Sequence, residues 1–174
     1  MRRRTLLRLS AIAVLGLGLL PGVSIAQQKT FKEQLVGAWI LAAVVGERAD
    51  GSKFEPFGAN PKGIIIFMDD GHFSLFQSST EVPKIAANDR AKATSEEATA
   101  IVRESIAYYG FYSVNENEKS LAVKLEGSTY ANLLGGPEQK RIVTSLTPEE
   151  LRFSNPRTPA GVSLTTVWKR AKLR

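Results

Sequence analysis

Hydrophobic and polar positions alternate in short runs along most of the chain, and this pattern predicts β-strands. The clearest signal is the stretch 63–76, where β-branched and aromatic residues flank Asp69-Asp70-Gly71. Because Gly71 can adopt a positive φ, the stretch predicts two strands folded back into a hairpin. The rest of the fold is organised around this hairpin.

The second strand of the hairpin has two chemically different faces. One face carries His72, Ser74 and Phe76, and the other carries Phe73, Leu75 and Gln77. The first face mixes polar and aromatic groups, so it is a candidate ligand-contacting surface if it looks into a cavity. If it looks out to water, that candidacy loses its support.

Further short strands recur with turn signals between them. They are predicted at 37–45, 111–114, 120–126, 141–146, 151–154 and 162–169, with 53–54 doubtful. A spacing of roughly 8–12 residues is typical of sandwiches and barrels, and closing a meander removes its exposed edges. We therefore predict an all-β fold, an antiparallel closed barrel of about eight strands. Residues 37–45 are apolar on both faces, which predicts a segment covering their outer side.

Two capping boxes predict short helices inside this β chain. Thr30 and Thr94 are each followed three residues later by glutamate. The first helical turn would plug the barrel or lead into the strand that follows. After Thr94, apolar positions at helical spacing predict one amphipathic helix near 95–109, which Gly110 would end in the left-handed conformation.

The N-terminus has the features of a bacterial export signal. Four arginines precede an apolar core, and Ser24-Ile25-Ala26 has the small-x-small pattern of a cleavage site. The apolar run at 11–20 is well short of the roughly 20 residues that span a bilayer. We predict a cleaved signal at 1–26, a barrel domain at 27–174 without a stable membrane anchor, and a periplasmic or secreted protein. The general export route is favoured over the twin-arginine route.

Charge and composition narrow the function classes. The chain has 23 basic and 17 acidic residues, and removing the four signal arginines leaves 19 basic residues against 17 acidic ones. This small excess removes the main support for a nucleic-acid partner. The chain has no cysteine and one histidine, which does not make a typical zinc site, and Gly135-Gly136-Pro137 does not resemble a phosphate loop. No metal and no cofactor are predicted.

Seven segments in chain order carry a family resemblance, namely 35–41, 56–58, 63–74, 107–112, 139–141, 151–153 and 167–170. Together they resemble the bacterial lipocalin-like domain family, a small calycin-type β-barrel family. The resemblance implies a barrel with a central cavity that opens with Gly37-x-Trp39, and Lys169 or Arg170 lying over that tryptophan. Phe67 stands where the family usually has tyrosine. Family members are mostly without an assigned activity, so the resemblance implies none.

Several candidate residues have a functional and a structural interpretation. His72 could act as a general acid or base, or it could be a satisfied or solvent-facing histidine at the turn. Tyr108 and Tyr112 could present hydroxyls to a ligand, or they could cap the core with their hydroxyls in water. Arg141 could bind a ligand carboxylate, or it could pair with a glutamate, Glu126 or Glu138, and be structural.

The leading hypothesis is an exported barrel that binds a small, mostly apolar or amphipathic molecule in its central cavity. The predicted ligand-binding residues are Trp39, Phe67, His72, Ser74, Phe76, Tyr108, Tyr112, Tyr130, Asn132, Gln139 and Arg141. One alternative is a cofactor-free isomerase or cyclase that uses the same cavity, with His72 or a tyrosine as proton carrier. Another is a protein-binding or inhibitor barrel, which needs an exposed apolar patch.

Overall fold

The computed structural model describes residues 29–156, 158 and 161–172, so the predicted export signal at 1–26 lies outside the described residues. The strands in the described part are β1 (Gly37–Glu47), β2 (Lys53–Phe54), β3 (Lys62–Phe67), β4 (His72–Ser78), β5 (Ser105–Asn115), β6 (Ser120–Ser128), β7 (Gln139–Leu146), β8 (Glu150–Asn155) and β9 (Ser163–Arg170). The α-helices there are α1 (Phe31–Leu35) and α2 (Ser95–Glu104). None of the helices in these residues is both long and apolar enough to cross a membrane.

The strands form one antiparallel sheet that closes on itself. The order is β2-β1-β3-β4-β5-β6-β7-β8-β9, and β1 also pairs with β9. All strands except β2 therefore make a closed barrel, and β2 pairs beside the end of β1. The predicted antiparallel barrel is confirmed. The predicted hairpin is β3 and β4, and Gly71 in its turn has a φ of +95°.

The two ends of the barrel are built differently. The lower end holds α1, the start of β1 and the short turns after β3, β5 and β7, whereas the upper end holds the longer connections and α2. The capping box at Thr30 forms as predicted, because its side chain accepts from the Glu33 N–H and the Glu33 carboxylate accepts from the Thr30 N–H. Phe31 and Leu35 of α1 are buried in the core, so this short helix closes the lower end.

Large side chains fill the lower half of the barrel interior. Trp39 and Trp168 are fully buried. The ring of Phe67 meets the ring of Tyr112 edge-on, with centroids 5.1 Å apart. The Trp39 indole N–H donates to the Leu35 carbonyl at 2.8 Å, which ties the first strand to α1. The lower half is therefore a packed hydrophobic core.

Arg170 lies over Trp39, and Lys169 does not. The Arg170 guanidinium is 3.6 Å from the centroid of the Trp39 ring. Lys169 points to the outside and pairs with Glu150 at 2.6 Å. Alternation along β9 separates the two residues, so only one of the two predicted candidates can reach the tryptophan.

The amphipathic helix predicted after Thr94 is present, and it is shorter than predicted. Its capping box forms, but α2 ends at Glu104 and β5 begins at Ser105. Ladder pairing with β4 overrides the helical pattern of residues 105–109. Gly110 is wrongly predicted as a helix end, because it lies buried inside β5, where a Cβ would collide with the Lys124 carbonyl.

The prediction that a segment covers the outer side of β1 is also wrong. No segment of the described residues covers this face, and Ile40 is 45% exposed. Phe76, Tyr109 and Phe111 are also exposed on the outer faces of β4 and β5. The apolar pattern of β1 therefore reflects an exposed outer face rather than a strand buried on both sides.

Candidate functional site

Side chains that are only partly buried line the upper half of the barrel interior. They are Ile106 and Tyr108 on β5, Leu125 on β6 and Leu164 on β9, and all four pack against the core. Inward-facing residues in the middle of the barrel, such as Tyr112 and Val123, are buried, whereas Val114 and Leu146 near the lower end are again partly buried. Exposure inside the barrel therefore rises from the middle toward the upper end. We call this region, with the polar residues described next, the upper interior.

Four polar side chains in this region share the inward face with these apolar residues, in addition to Thr166 between Leu164 and Trp168 on β9. Gln77 follows Phe73 and Leu75 on the inward face of β4, and Gln139 lies opposite Val123 where β7 begins. Arg141 lies opposite Leu121, which is almost fully buried. Gln77 and Arg141 are each only 6% exposed. The pairing register thus brings amide and guanidinium groups into an otherwise apolar interior.

Asn155 is the fourth polar residue on the inward face. Ile142 of β7 pairs with Ser154 of β8, so Arg141 and Asn155 follow one residue further on neighbouring strands. Asn155 lies two residues after the buried Phe153 on β8, so the two side chains are on the same face. The side-chain oxygen Oδ1 of Asn155 is buried and has no hydrogen-bond partner within the described part of the chain.

The guanidinium group of Arg141 has only neutral partners among the described residues. One terminal nitrogen donates to Oε1 of Gln139 at 2.8 Å, and the other donates to the Lys140 carbonyl at 3.3 Å. Glu126 and Glu138, the two structural partners considered from sequence, are exposed and do not bond to it. The structural alternative for Arg141 is therefore not observed.

Two clefts lie outside the barrel interior. One, of about 350 Å³, lies beside β5, β6 and β7 and includes Ser113 and Lys140. The other, of about 680 Å³, lies at the upper end between the loop 55–60, the residues after β4 and α2. Phe57 lines the second cleft and also packs against the core, so this cleft borders the upper interior. No group of three or more metal-ligating side chains is close enough to hold a metal among the described residues.

A model of the lipocalin-like domain matches residues 36–171, which is most of the chain. This chain belongs to the lipocalin-like domain family. The resemblance predicted from sequence is confirmed. No curated protein matches this lipocalin-like chain.

The solved structures that match this lipocalin-like chain share little sequence with it. A bovine odorant-binding protein complexed with its natural ligand is 13% identical, with a TM-score of 0.42 over 86% of this chain and 77% of that one. A redesigned β-barrel is 16% identical, with a TM-score of 0.41 over 81% of this chain and 95% of that one. The fold assignment rests on the strand pairing and the family match.

Three of the predicted ligand-binding residues lie in the packed lower half of this lipocalin-like barrel. They are Trp39, Phe67 and Tyr112, and all are buried. The Tyr112 hydroxyl donates to the Met68 carbonyl at 2.6 Å. Burial, with the nearby Asp69 and Asp70 carboxylates, raises the pKa of Tyr112 to about 12. Its hydroxyl therefore stays protonated and holds the β3–β4 turn against β5.

Three other predicted residues face outward. Phe76 is 42% exposed, and His72 and Ser74 share its face, because the more apolar Phe73 and Leu75 occupy the interior. The prediction that these three residues bind a ligand in the central cavity is wrong, because their face, whose direction the sequence left open, looks out to water. The Nδ1 atom of His72 is 3.0 Å from a carboxylate oxygen of Asp70, so His72 is a satisfied, solvent-facing residue at the turn.

The remaining predicted residues lie at or near the upper end. Tyr130 and Asn132 are exposed on the connection after β6, and their contact with a ligand stays a prediction. Tyr108, Gln139 and Arg141 face the interior and share the upper interior. Of the predicted set, these three face the interior, and Gln139 and Arg141 are in direct contact.

Gln77 and Asn155 belong to the same site but were not predicted. The signal for Gln77 was its position after Phe73 and Leu75 in a strict alternation. Asn155 follows Leu151 and Phe153 in the same way, one residue beyond the predicted end of its strand. Once the more apolar face of each strand is taken as the inner face, both residues follow from the sequence.

Proposed function

We propose that this chain is an exported barrel that binds a small, mostly apolar molecule in its upper interior. The partial exposure of Ile106, Tyr108, Leu125 and Leu164 carries the proposal. Apolar side chains that face inward are stabilised by leaving water, and here they remain partly in contact with it. A ligand that enters from the upper end covers this surface, while the packed lower half forms the floor.

Polar groups among apolar ones support the same proposal. Ligand pockets are mostly apolar, with a few placed polar groups that fix orientation. The upper interior has that composition, since the Gln77, Gln139 and Asn155 amides lie among aliphatic and aromatic side chains. The export part of the proposal is supported by the signal-like sequence at 1–26.

The catalytic alternative has less support. His72 faces outward beside Asp70, and the Tyr112 hydroxyl is bonded to a main-chain carbonyl near the lower end. Neither group reaches the upper interior, so neither is placed as a proton carrier for a molecule bound there. The proposal therefore concerns binding rather than turnover.

Titration of the full chain with N-phenyl-1-naphthylamine, a neutral fluorescent probe, tests the proposal. We expect saturable binding and displacement by terpenoids and alkyl alcohols. Leu125→Trp fills the upper interior and should weaken probe binding by at least about tenfold, which corresponds to roughly 1.4 kcal/mol. Phe76→Trp adds the same ring on the outer face and is the matched control. Absence of saturable binding, or equal effects of the two variants, contradicts the proposal.

A second candidate function, protein binding, is favoured by the outer face. Ile40, Phe76, Tyr109 and Phe111 are 40–53% exposed on neighbouring strands. We propose a second copy of the chain as the partner, because a mainly apolar patch can meet its own copy, with Lys124 and the His72–Asp70 pair beside Phe111 at its edge. Sedimentation velocity should show a dimer that Phe76→Ser with Tyr109→Ser converts to monomer. A monomer at all concentrations contradicts this candidate.

A further inference from the structure

We propose that the upper interior recognises an anionic head group, and that the ligand is an apolar molecule with a carboxylate that pairs with Arg141. This inference rests on the proposed function, because it names the chemical class of the molecule bound at that site. The ligand class is therefore an amphipathic monocarboxylic acid, such as a medium-chain fatty acid.

Arg141 places a charged guanidinium in buried surroundings. Its side chain is on the inward face opposite Leu121, and the residue is 6% exposed. A buried charge is strongly disfavoured unless an opposite charge and hydrogen bonds compensate it. The only side-chain partner of its guanidinium among the described residues is the neutral Gln139 amide. A ligand carboxylate supplies the missing countercharge.

The Arg141 guanidinium has unused hydrogen-bonding capacity. A guanidinium has five N–H donors in a planar fork, and the described contacts of Arg141 are one to Gln139 and one to the Lys140 carbonyl. The remaining donors suit the two oxygens of a carboxylate in bidentate geometry. The hydrogen-bonding capacity of Arg141 is thus incomplete without a bound molecule.

The charge of Arg141 favours a ligand with a negatively charged group. Among the described residues, the buried polar ones are Gln77, Ser78, Ser120, Arg141 and Thr166, and Arg141 is the charged member. The apolar residues of the upper interior, including Tyr108 and Leu125, face the same barrel interior and are available to an alkyl chain or ring. The arrangement selects an acid over the corresponding alcohol and disfavours an amine.

Isothermal titration calorimetry with decanoic acid, 1-decanol and decylamine tests the inference. We expect the full chain at neutral pH to bind the acid roughly 10- to 100-fold more tightly than the alcohol, because a hydrogen-bonded charge pair adds to the same apolar contact. The amine should bind least. Arg141→Gln should remove the preference for the acid and keep the affinity for the alcohol. Arg141→Lys should retain part of the preference.

Arg152→Gln is the matched control, because Arg152 is an exposed arginine on the outer face of β8, paired with Glu150 at 3.4 Å. It should leave all three affinities unchanged. The comparison of acid and alcohol uses the unmodified chain, so it decides the inference even if an Arg141 variant does not fold. Equal affinity for acid and alcohol overturns the inference and leaves the proposed function standing. Absence of binding by both overturns both.

Discussion

Arg170 fastens the lower end of the barrel through its guanidinium group. The group lies over the Trp39 ring and donates to the main-chain carbonyls of Gln34 at 2.5 Å and Val36 at 2.8 Å. Arg170→Leu removes the cation–π contact and leaves these carbonyls without their donor. We expect the free energy of unfolding to fall by about 2–4 kcal/mol, measured by urea denaturation.

Lys169→Leu is the control for this substitution. Lys169 is the preceding residue on β9, and it forms an exposed pair with Glu150. Exposed ion pairs contribute about 0–1 kcal/mol, so the variant should unfold near the wild-type urea concentration. Equal destabilisation by the two variants would show that Arg170 does not fasten the lower end.

Deprotonation of Tyr112 should make the stability of the fold decrease at alkaline pH. Its pKa is raised to about 12 from an ordinary value of 10.0, so the folded chain holds this proton more tightly than the unfolded chain does. The corresponding stability is fully present below pH 10 and is lost as the pH rises toward 12. Urea denaturation at a series of alkaline pH values should show this loss in the wild type and a smaller one in Tyr112→Phe.

At neutral pH, Tyr112→Phe should cost about 1 kcal/mol, because it removes the hydrogen bond to Met68. Tyr109→Phe removes an exposed hydroxyl and serves as the control. If Tyr112→Phe followed the same pH profile as the wild type, the buried hydroxyl would not be the source of the dependence.

Among the elements, the pairing of β5 with β6 is irregular beside a glycine of β5. The pairing of the two strands shifts register between Tyr109 and Gly110, and a Cβ on Gly110 would collide with main-chain atoms of Lys124 and Leu125. Gly110→Ala should therefore lower the free energy of unfolding by about 1–3 kcal/mol, measured by thermal or urea denaturation. Gly136→Ala, in an open loop where a Cβ meets nothing, should change it by less than about 0.5 kcal/mol. A neutral Gly110→Ala would contradict this role.

The elements that the sequence predicts well are those with a local cause. Both capping boxes form, and the hairpin turns at Gly71, because caps and tight turns depend on neighbouring residues. The end of α2 depends on pairing with β4, which is distant in sequence, and the local pattern extends the helix to 109. Tertiary pairing decided this boundary against the helical pattern.

At the scale of the whole molecule, barrel closure decides which face of each strand lines the interior. His72, Ser74 and Phe76 are chemically attractive, but closure turns them outward and places Gln77 inside. Arg141 faces the interior because Leu121 and Leu125 mark the inner face of β6, with which β7 pairs, and its contact with a ligand stays a prediction. The long connections at the upper end leave the upper interior partly exposed, and no local pattern in the sequence reports that exposure.

The central claim is that the upper interior is the binding site for an apolar acid. A two-dimensional NMR titration of isotope-labelled chain with decanoic acid tests it most directly. We expect saturable chemical-shift changes at Tyr108, Leu125 and Arg141, with little change at Phe76 and Phe111 on the outer face. Changes confined to the outer face, or no saturable change at all, would contradict it.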